Sequence, residues 1–285
     1  MLSDRSRQQP RPSPTGPPTP RPLPSRAQHR RAILILLGVT LVGVVAVIVH
    51  GPIPQSPSYH VFADQRRILG VPNFWNVASN IPFLVVGVAG LLSLSRRQLP
   101  GVLPALRPAY VAFFVGTALV SFGSGYYHSA PSDSSLVWDR LPMTVTFMAF
   151  LAILIGEQIG PEVGARLLLP LIVVGLLSVG YWWSSGRHGG GDLRPYTLVQ
   201  FLPMALAPLL VILLPSRLTR VSLLWGVFAA YAVAKLLEAL DRPIFDSLRV
   251  VSGHSLKHLA AALAAYLLLV AATKRRVLPC EGRTT

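Results

Sequence analysis

The stretch Ser121-Phe122-Gly123-Ser124-Gly125-Tyr126-Tyr127-His128-Ser129-Ala130-Pro131-Ser132-Asp133-Ser134-Ser135-Leu136-Val137-Trp138-Asp139-Arg140 decides how the chain is read. It is a polar interruption between two apolar runs, 109–127 and 141–156, in a sequence made mostly of such runs. Ser124, His128 and Asp139 stand in it, at or near the depth of a membrane boundary. Ionisable side chains in or beside membrane helices are costly to place, so they count as functional candidates.

Outward from this stretch the same pattern repeats. Further apolar runs cover 32–49, 74–94, 165–183, 196–214, 221–240 and 254–272, which makes eight spans near the ~20 residues that cross a bilayer. Of the 285 residues, 52% are hydrophobic and 13% charged, with a mean hydropathy of +0.52. A soluble domain carries about a quarter charged residues. The expected fold class is therefore an all-α integral membrane protein with multiple passes. A net charge of +15 would suit a nucleic-acid partner. The basic residues cluster between the apolar runs, however, as the positive-inside rule requires, and nucleic acid is excluded. The single cysteine, Cys280, rules out an intramolecular disulfide or a cysteine metal cluster. Any metal must be held by histidine, carboxylate or hydroxyl groups.

Residues 1–31 hold seven arginines and eight prolines with almost no large apolar residue, the composition of a disordered basic tail. The run at 32–49 has the basic flank of a signal peptide. Its length, the long tail before it and the lack of a small-x-small cleavage site favour a retained transmembrane anchor. Prolines Pro82, Pro142, Pro170, Pro203 and Pro208 fall inside spans or at their starts, which membrane helices tolerate when neighbours satisfy the freed backbone. Alternate connections, span edges included, hold 17 lysines and arginines against 7. Both termini are thus expected in the cytoplasm, with His128, Asp139 and His254 together at the extracytoplasmic face.

The last run opens with Gly253-His254-Ser255-Leu256-Lys257-His258. His254 and His258, four residues apart, share one helix face, a geometry that suits two imidazoles on one metal. Ser124 and His128 have the same spacing. Three imidazoles with an open position form the arrangement of a catalytic zinc site, whose bound water reaches a pKa near ~7. Asp139 is placed to hold or deprotonate that water, and Ser124 to donate to a developing oxyanion. Each feature also has a plainer reading. Interfacial histidines are common, a histidine at a helix end is often solvated, and a serine among glycines permits close helix packing. Lys257, about 100° around the helix from its histidine neighbour, is expected to reach solvent or headgroups.

Taken in order, Ser124-x-x-x-His128, Asp139 and His254-x-x-x-His258 resemble the CREST superfamily of membrane hydrolases, closest to its alkaline ceramidase branch. The stretch Asn73-Phe74-Trp75-Asn76-Val77-Ala78-Ser79-Asn80 is similar to that branch's first-helix signature. The resemblance covers 59–272, seven of the eight spans, and implies a seven-helix core to which 32–49 adds one N-terminal helix. Residues 273–285 are then a cytoplasmic tail. It implies Zn2+ on His128, His254 and His258, with Asp139 as base and Ser124 as oxyanion partner. The implied reaction is hydrolysis of the amide of ceramide, drawn from the bilayer, to a sphingoid base and a fatty acid. A hydrolase of another lipid amide or an ester fits the same residues. So does a non-catalytic, metal-stabilised receptor, since the progestin and adipoQ receptors share the architecture. A haem carrier fits less well, because His-x-x-x-His on one helix suits a single small ion better than two axial ligands.

One departure concerns the segment before the first core helix. Where the branch's eukaryotic members carry an acidic calcium site, this chain reads Asp64-Gln65-Arg66-Arg67-Ile68-Leu69-Gly70-Val71-Pro72-Asn73, with one carboxylate and two arginines. That donor set suits a hard dication poorly, and no calcium is expected. Lys235, Glu238, Asp241 and Arg242, at the end of span 221–240, are expected to pair within the bundle or to meet a headgroup. The loop 186–194, with Gly189, Gly190, Gly191 and Asp192, lacks a following Lys-Ser/Thr and is not a phosphate loop. Glu157 and Glu162 are expected to be solvated on the cytoplasmic side. Trp182, Trp183 and Tyr196 are expected in the interfacial aromatic belt.

Overall fold

A computed structural model describes residues 25–187 and 191–278. Among these residues there are ten α-helices and no strand. They are α1 (Arg26–His50), α2 (Phe74–Ala78), α3 (Ile81–Ser95), α4 (Arg107–Ser129), α5 (Asp133–Gln158), α6 (Pro161–Gly186), α7 (Arg194–Leu213), α8 (Ser222–Ala239), α9 (Asp241–Leu248) and α10 (Gly253–Lys274). Eight spans, counting α2 and α3 as one, are long and apolar enough to cross a membrane, and the chain is a multi-pass membrane protein. Most of the expected tail and Cys280 lie outside the described residues, as do Gly189 and Gly190.

Local signals account for the helix ends that composition missed. Ser25 and Gln28 form a reciprocal capping box, so α1 starts within the expected tail. Ser132 and Ser135 do the same for α5, which therefore begins eight residues before the apolar run and takes Asp139 and Arg140 into regular helix. Pro82 removes a backbone donor, and the run at 74–94 breaks at Ser79–Asn80 into α2 and α3.

Helix α5 is the most buried span and packs on α4, α6 and α7. Inside it, Pro142 cannot donate to the Trp138 carbonyl, and Gly123 of α4 lies directly over that carbonyl, where any side chain would clash. Close α4–α5 contact follows, and it brings the α4 turn that carries Ser124 against the α5 turn that carries Asp139. Helix α10 lies between α8 and α3, with Gly253 pressed on the Leu237 carbonyl. Helix α1 packs on α7 and buries only Ala32 and Leu36.

At the end of the bundle away from His128, the structure corrects two expectations. Glu157 is not solvated; it is fully buried, and so is Arg275, in the segment expected to be a free tail. Arg275 Nη1 and Nη2 each donate to Glu157 at 2.7 Å, and Tyr110 donates to the same carboxylate at 2.7 Å. The following strand-like residue Val277 bridges Leu218, tying residues after α10 to the α7–α8 connection. Replacing Arg275 by Met strands a buried carboxylate and is expected to cost about 3–5 kcal/mol. Thermal unfolding in detergent tests this: an unchanged midpoint, or no recovery in the Arg275→Met/Glu157→Gln pair, contradicts it.

Candidate metal centre and cavity

Two helices bring the three histidines together at one end of the bundle. His128 is in the last turn of α4, and His254 and His258 are in the first two turns of α10. The α10 start is fixed by Ser252, which caps the Ser255 amide, and by Asp241, which accepts from the His254 amide at 2.8 Å. Asp241 also accepts from Ala63, so one carboxylate joins α9, α10 and the segment before α2.

The three imidazoles form a near-equilateral triangle with ring centres 4.8, 4.9 and 4.9 Å apart. One nitrogen from each lies within 4.8 Å of the others, and all three residues are buried. Rings bound to one tetrahedral ion through ~2.0 Å bonds have centres roughly 5 Å apart, so the spacing fits. Buried His128 Nδ1 and His254 Nε2 have no hydrogen-bond partner, an omission that a metal would repair. Three neutral nitrogens suit zinc-like ions better than magnesium or calcium. His258 Nδ1 lies 2.8 Å from Ser79 Oγ, and Ser79 in turn donates to the Asn76 carbonyl. Such an outer partner fixes which ring nitrogen faces inward.

Ser124 is buried one turn deeper than His128, on the α4 face that meets Asp139 of α5. Both line a cavity that also touches His258. From Asp139 the cavity follows α5 to Phe150, eleven residues or about 16 Å along the helix, and becomes wholly apolar among Phe113, Phe228 and Ala265. Helices α7 and α8 both line it yet touch only lightly.

Several side chains stand where the sequence did not suggest. Phe62 packs its ring on His128 at 4.6 Å and on His254 at 4.9 Å, so the segment before α2 roofs the histidines. His60 bonds the Tyr127 hydroxyl and Asp133. Asp64 is engaged by Arg66, which also donates to the Val250 carbonyl. Donating to the Asp64 carboxylate raises the Arg66 guanidinium above its ordinary pKa. Lys257 does not reach headgroups; it turns into the cavity and donates to Glu238 at 3.1 Å, and Glu238 also pairs with Lys235. Trp182 and Tyr196 are not in a lipid-facing belt. Both are buried against the Arg140 guanidinium, 4.1 and 4.6 Å from their ring centres. Tyr59 lines the cavity as well, and burial pushes its phenol above the ordinary value, which keeps it a neutral donor. In the 186–194 loop, burial alone would raise Asp192, but hydrogen bonds from Arg194 and Ile53 lower it to about 2. Asp192 is thus a charged tie between loops, and its contribution to stability is lost only as pH falls towards that value. Phe62 and the Ser79 partner had no spacing signal; only the Asn73–Asn80 likeness touched this region.

Fold and site together define a multi-pass membrane protein with a buried three-imidazole centre at the head of an apolar cavity. Residues 70–188 match the family model described as Ceramidase, which bears out the likeness to ceramidase-type CREST membrane hydrolases. That match holds Ser124, His128 and Asp139, and the fold supplies His254 and His258 from beyond it. No curated protein matches the chain.

Proposed function

We propose that the protein is a zinc-dependent hydrolase of lipid amides, with ceramide-like amides as the substrate class. The observation that carries this reading is the joining of three buried imidazoles, Asp139 and Ser124 to the head of a 16 Å apolar cavity of bilayer-embedded helices. The acyl chain lies among Phe113, Phe150 and Phe228, which sets the amide carbonyl level with Asp139 and His258. The light contact between α7 and α8 gives a route from the bilayer.

His128, His254 and His258 would hold the ion. Zinc on three imidazoles supplies Lewis acidity and a water whose pKa falls to ~7. Asp139 takes the proton of the attacking water and hands it to the leaving nitrogen as the C–N bond breaks, giving a carboxylic acid and an amine. Ser124 has one hydroxyl hydrogen, which turns to the carbonyl oxygen as charge builds there. Phe62 excludes bulk water from above the histidines. The excess of basic residues on alternate connections supports an extracytoplasmic position for this end, with both termini in the cytoplasm.

The test is metal analysis of purified protein, with mass spectrometry of lipids after incubation. About one zinc per chain and release of fatty acid from ceramide-type amides are expected. Binding of such lipids without turnover would point instead to a receptor, and a protein without bound metal would overturn the reading.

A further inference from the structure

Arg140 is the least explained charge in the molecule. It is 4% exposed, lines the cavity next to Asp139, and makes no ion pair with any described residue. Its Nη2 donates to Gln55 Oε1 at 2.8 Å, while its Nη1 is buried with no partner. Three aromatic rings surround the guanidinium: Trp182, Tyr196 and, at 5.7 Å, Tyr59. Ring faces offset part of the cost of burying a cation, but they supply no acceptor for the free N–H. A buried cation in a cavity wall, with one donor left unpartnered, is a site suited to an anion.

The surrounding charges agree. Lys235 and Lys257 line the same end of the cavity, and the carboxylates there are Glu238 and Asp139. Three cations face two carboxylates before any metal is counted. Glu238 is shared by both lysines, and neither it nor Asp139 makes an ion pair or hydrogen bond with Arg140. Position settles which part of a substrate would meet this charge. The far end of the cavity is apolar and takes the acyl chain. Arg140 reaches the other way, towards Gln55 and Tyr59 in the segment that roofs the site. The group beyond the amide nitrogen points there.

We propose that Arg140, supported by Lys235 and Lys257, forms a subsite for an anionic group on the amine side of the substrate. Within the proposed class of lipid amides, those carrying a carboxylate or phosphate on the amine are then bound more tightly than their neutral counterparts, and an N-acyl amino acid is the simplest of them to test. This rests on the hydrolase reading for what is cleaved, but not for what is bound. Guanidinium geometry favours paired oxygens, and the aromatic walls hold the fork in place.

The experiment compares N-palmitoylglycine, its methyl ester, N-palmitoylethanolamine and N-palmitoyl-phosphoethanolamine on the zinc-loaded protein in detergent. Hydrolysis is followed by mass spectrometry, and binding by the shift of the thermal unfolding midpoint. The acid is expected to exceed its methyl ester at least about tenfold in kcat/KM, the worth of one charge-assisted hydrogen bond, mostly through KM. The two anionic lipids tell whether carboxylate or phosphate is the better fit. Arg140→Gln is expected to bring the acid-to-ester ratio to within about twofold, and Lys257→Met to reduce it. Should Arg140→Gln fail to fold, the acid and ester on the unaltered protein still decide. Equal rates and equal midpoint shifts for acid and ester overturn the subsite while leaving the hydrolase reading in place. A larger shift with the acid, lost in Arg140→Gln, with no lipid hydrolysed, upholds the subsite and overturns the hydrolase reading.

Discussion

Asparagine at Asp139 is expected to lower amide hydrolysis by about 10²–10⁴-fold while metal content stays unchanged. The substitution keeps the shape of the side chain, and the α4–α5 contact that Gly123 makes on the Trp138 carbonyl does not involve it. What it removes is the ability to take a proton and pass it on. Asp139 sits in the second turn of a helix that Ser132 caps, 9% exposed, and it is no member of the three-imidazole triangle. Metal per chain and turnover are therefore separable readouts. Retained turnover would remove Asp139 from proton transfer, and loss of metal would make it a ligand.

Alanine at His254 is expected to reduce bound zinc from one per chain to below about a tenth at equal free metal. A ligand that occupies the folded state alone stabilises it by about 4 kcal/mol at a thousand times its Kd. The unaltered protein should thus unfold at a lower temperature after chelation, and His254→Ala should show no such difference. His254 is suited to this test because its ring touches Phe62 and the other two imidazoles but its backbone amide is held independently by Asp241. The α10 start persists without the side chain. A variant that keeps stoichiometric zinc would show that the triangle is not the ligand set.

Hydropathy made the eight spans legible because each buries its backbone bonds within itself and only side-chain composition varies. The site was legible through its spacings: Ser124 to His128 and His254 to His258 are one helical turn each, and the charge pattern put them at one end. What could not be read depends on contacts between distant residues. Glu157 looked solvated because its partner, Arg275, is 118 residues away in an apparent tail. Lys257 looked lipid-facing because nothing local announces Glu238 opposite it. Trp182 and Tyr196 had the composition of an aromatic belt, and Arg140 had that of a loop charge; only the early start of α5 brings them together. The short α9 was missed because its eight residues intersperse Ile244, Phe245 and Leu248 with three charges and a proline, too short and too polar to read as a span.

The separation of the ligands has a consequence for how the protein is made. His128 leaves the ribosome 126 residues before His254. At about 5–20 residues per second that interval is roughly 6–25 s, during which the nascent chain presents a lone imidazole and cannot retain an ion. Arg275, which locks the far end of α10 to Glu157, emerges later still. On the proposed reading, metal capture is therefore a closing event of biogenesis. A chain cut short before its last helix would be inserted in the membrane yet chemically inert.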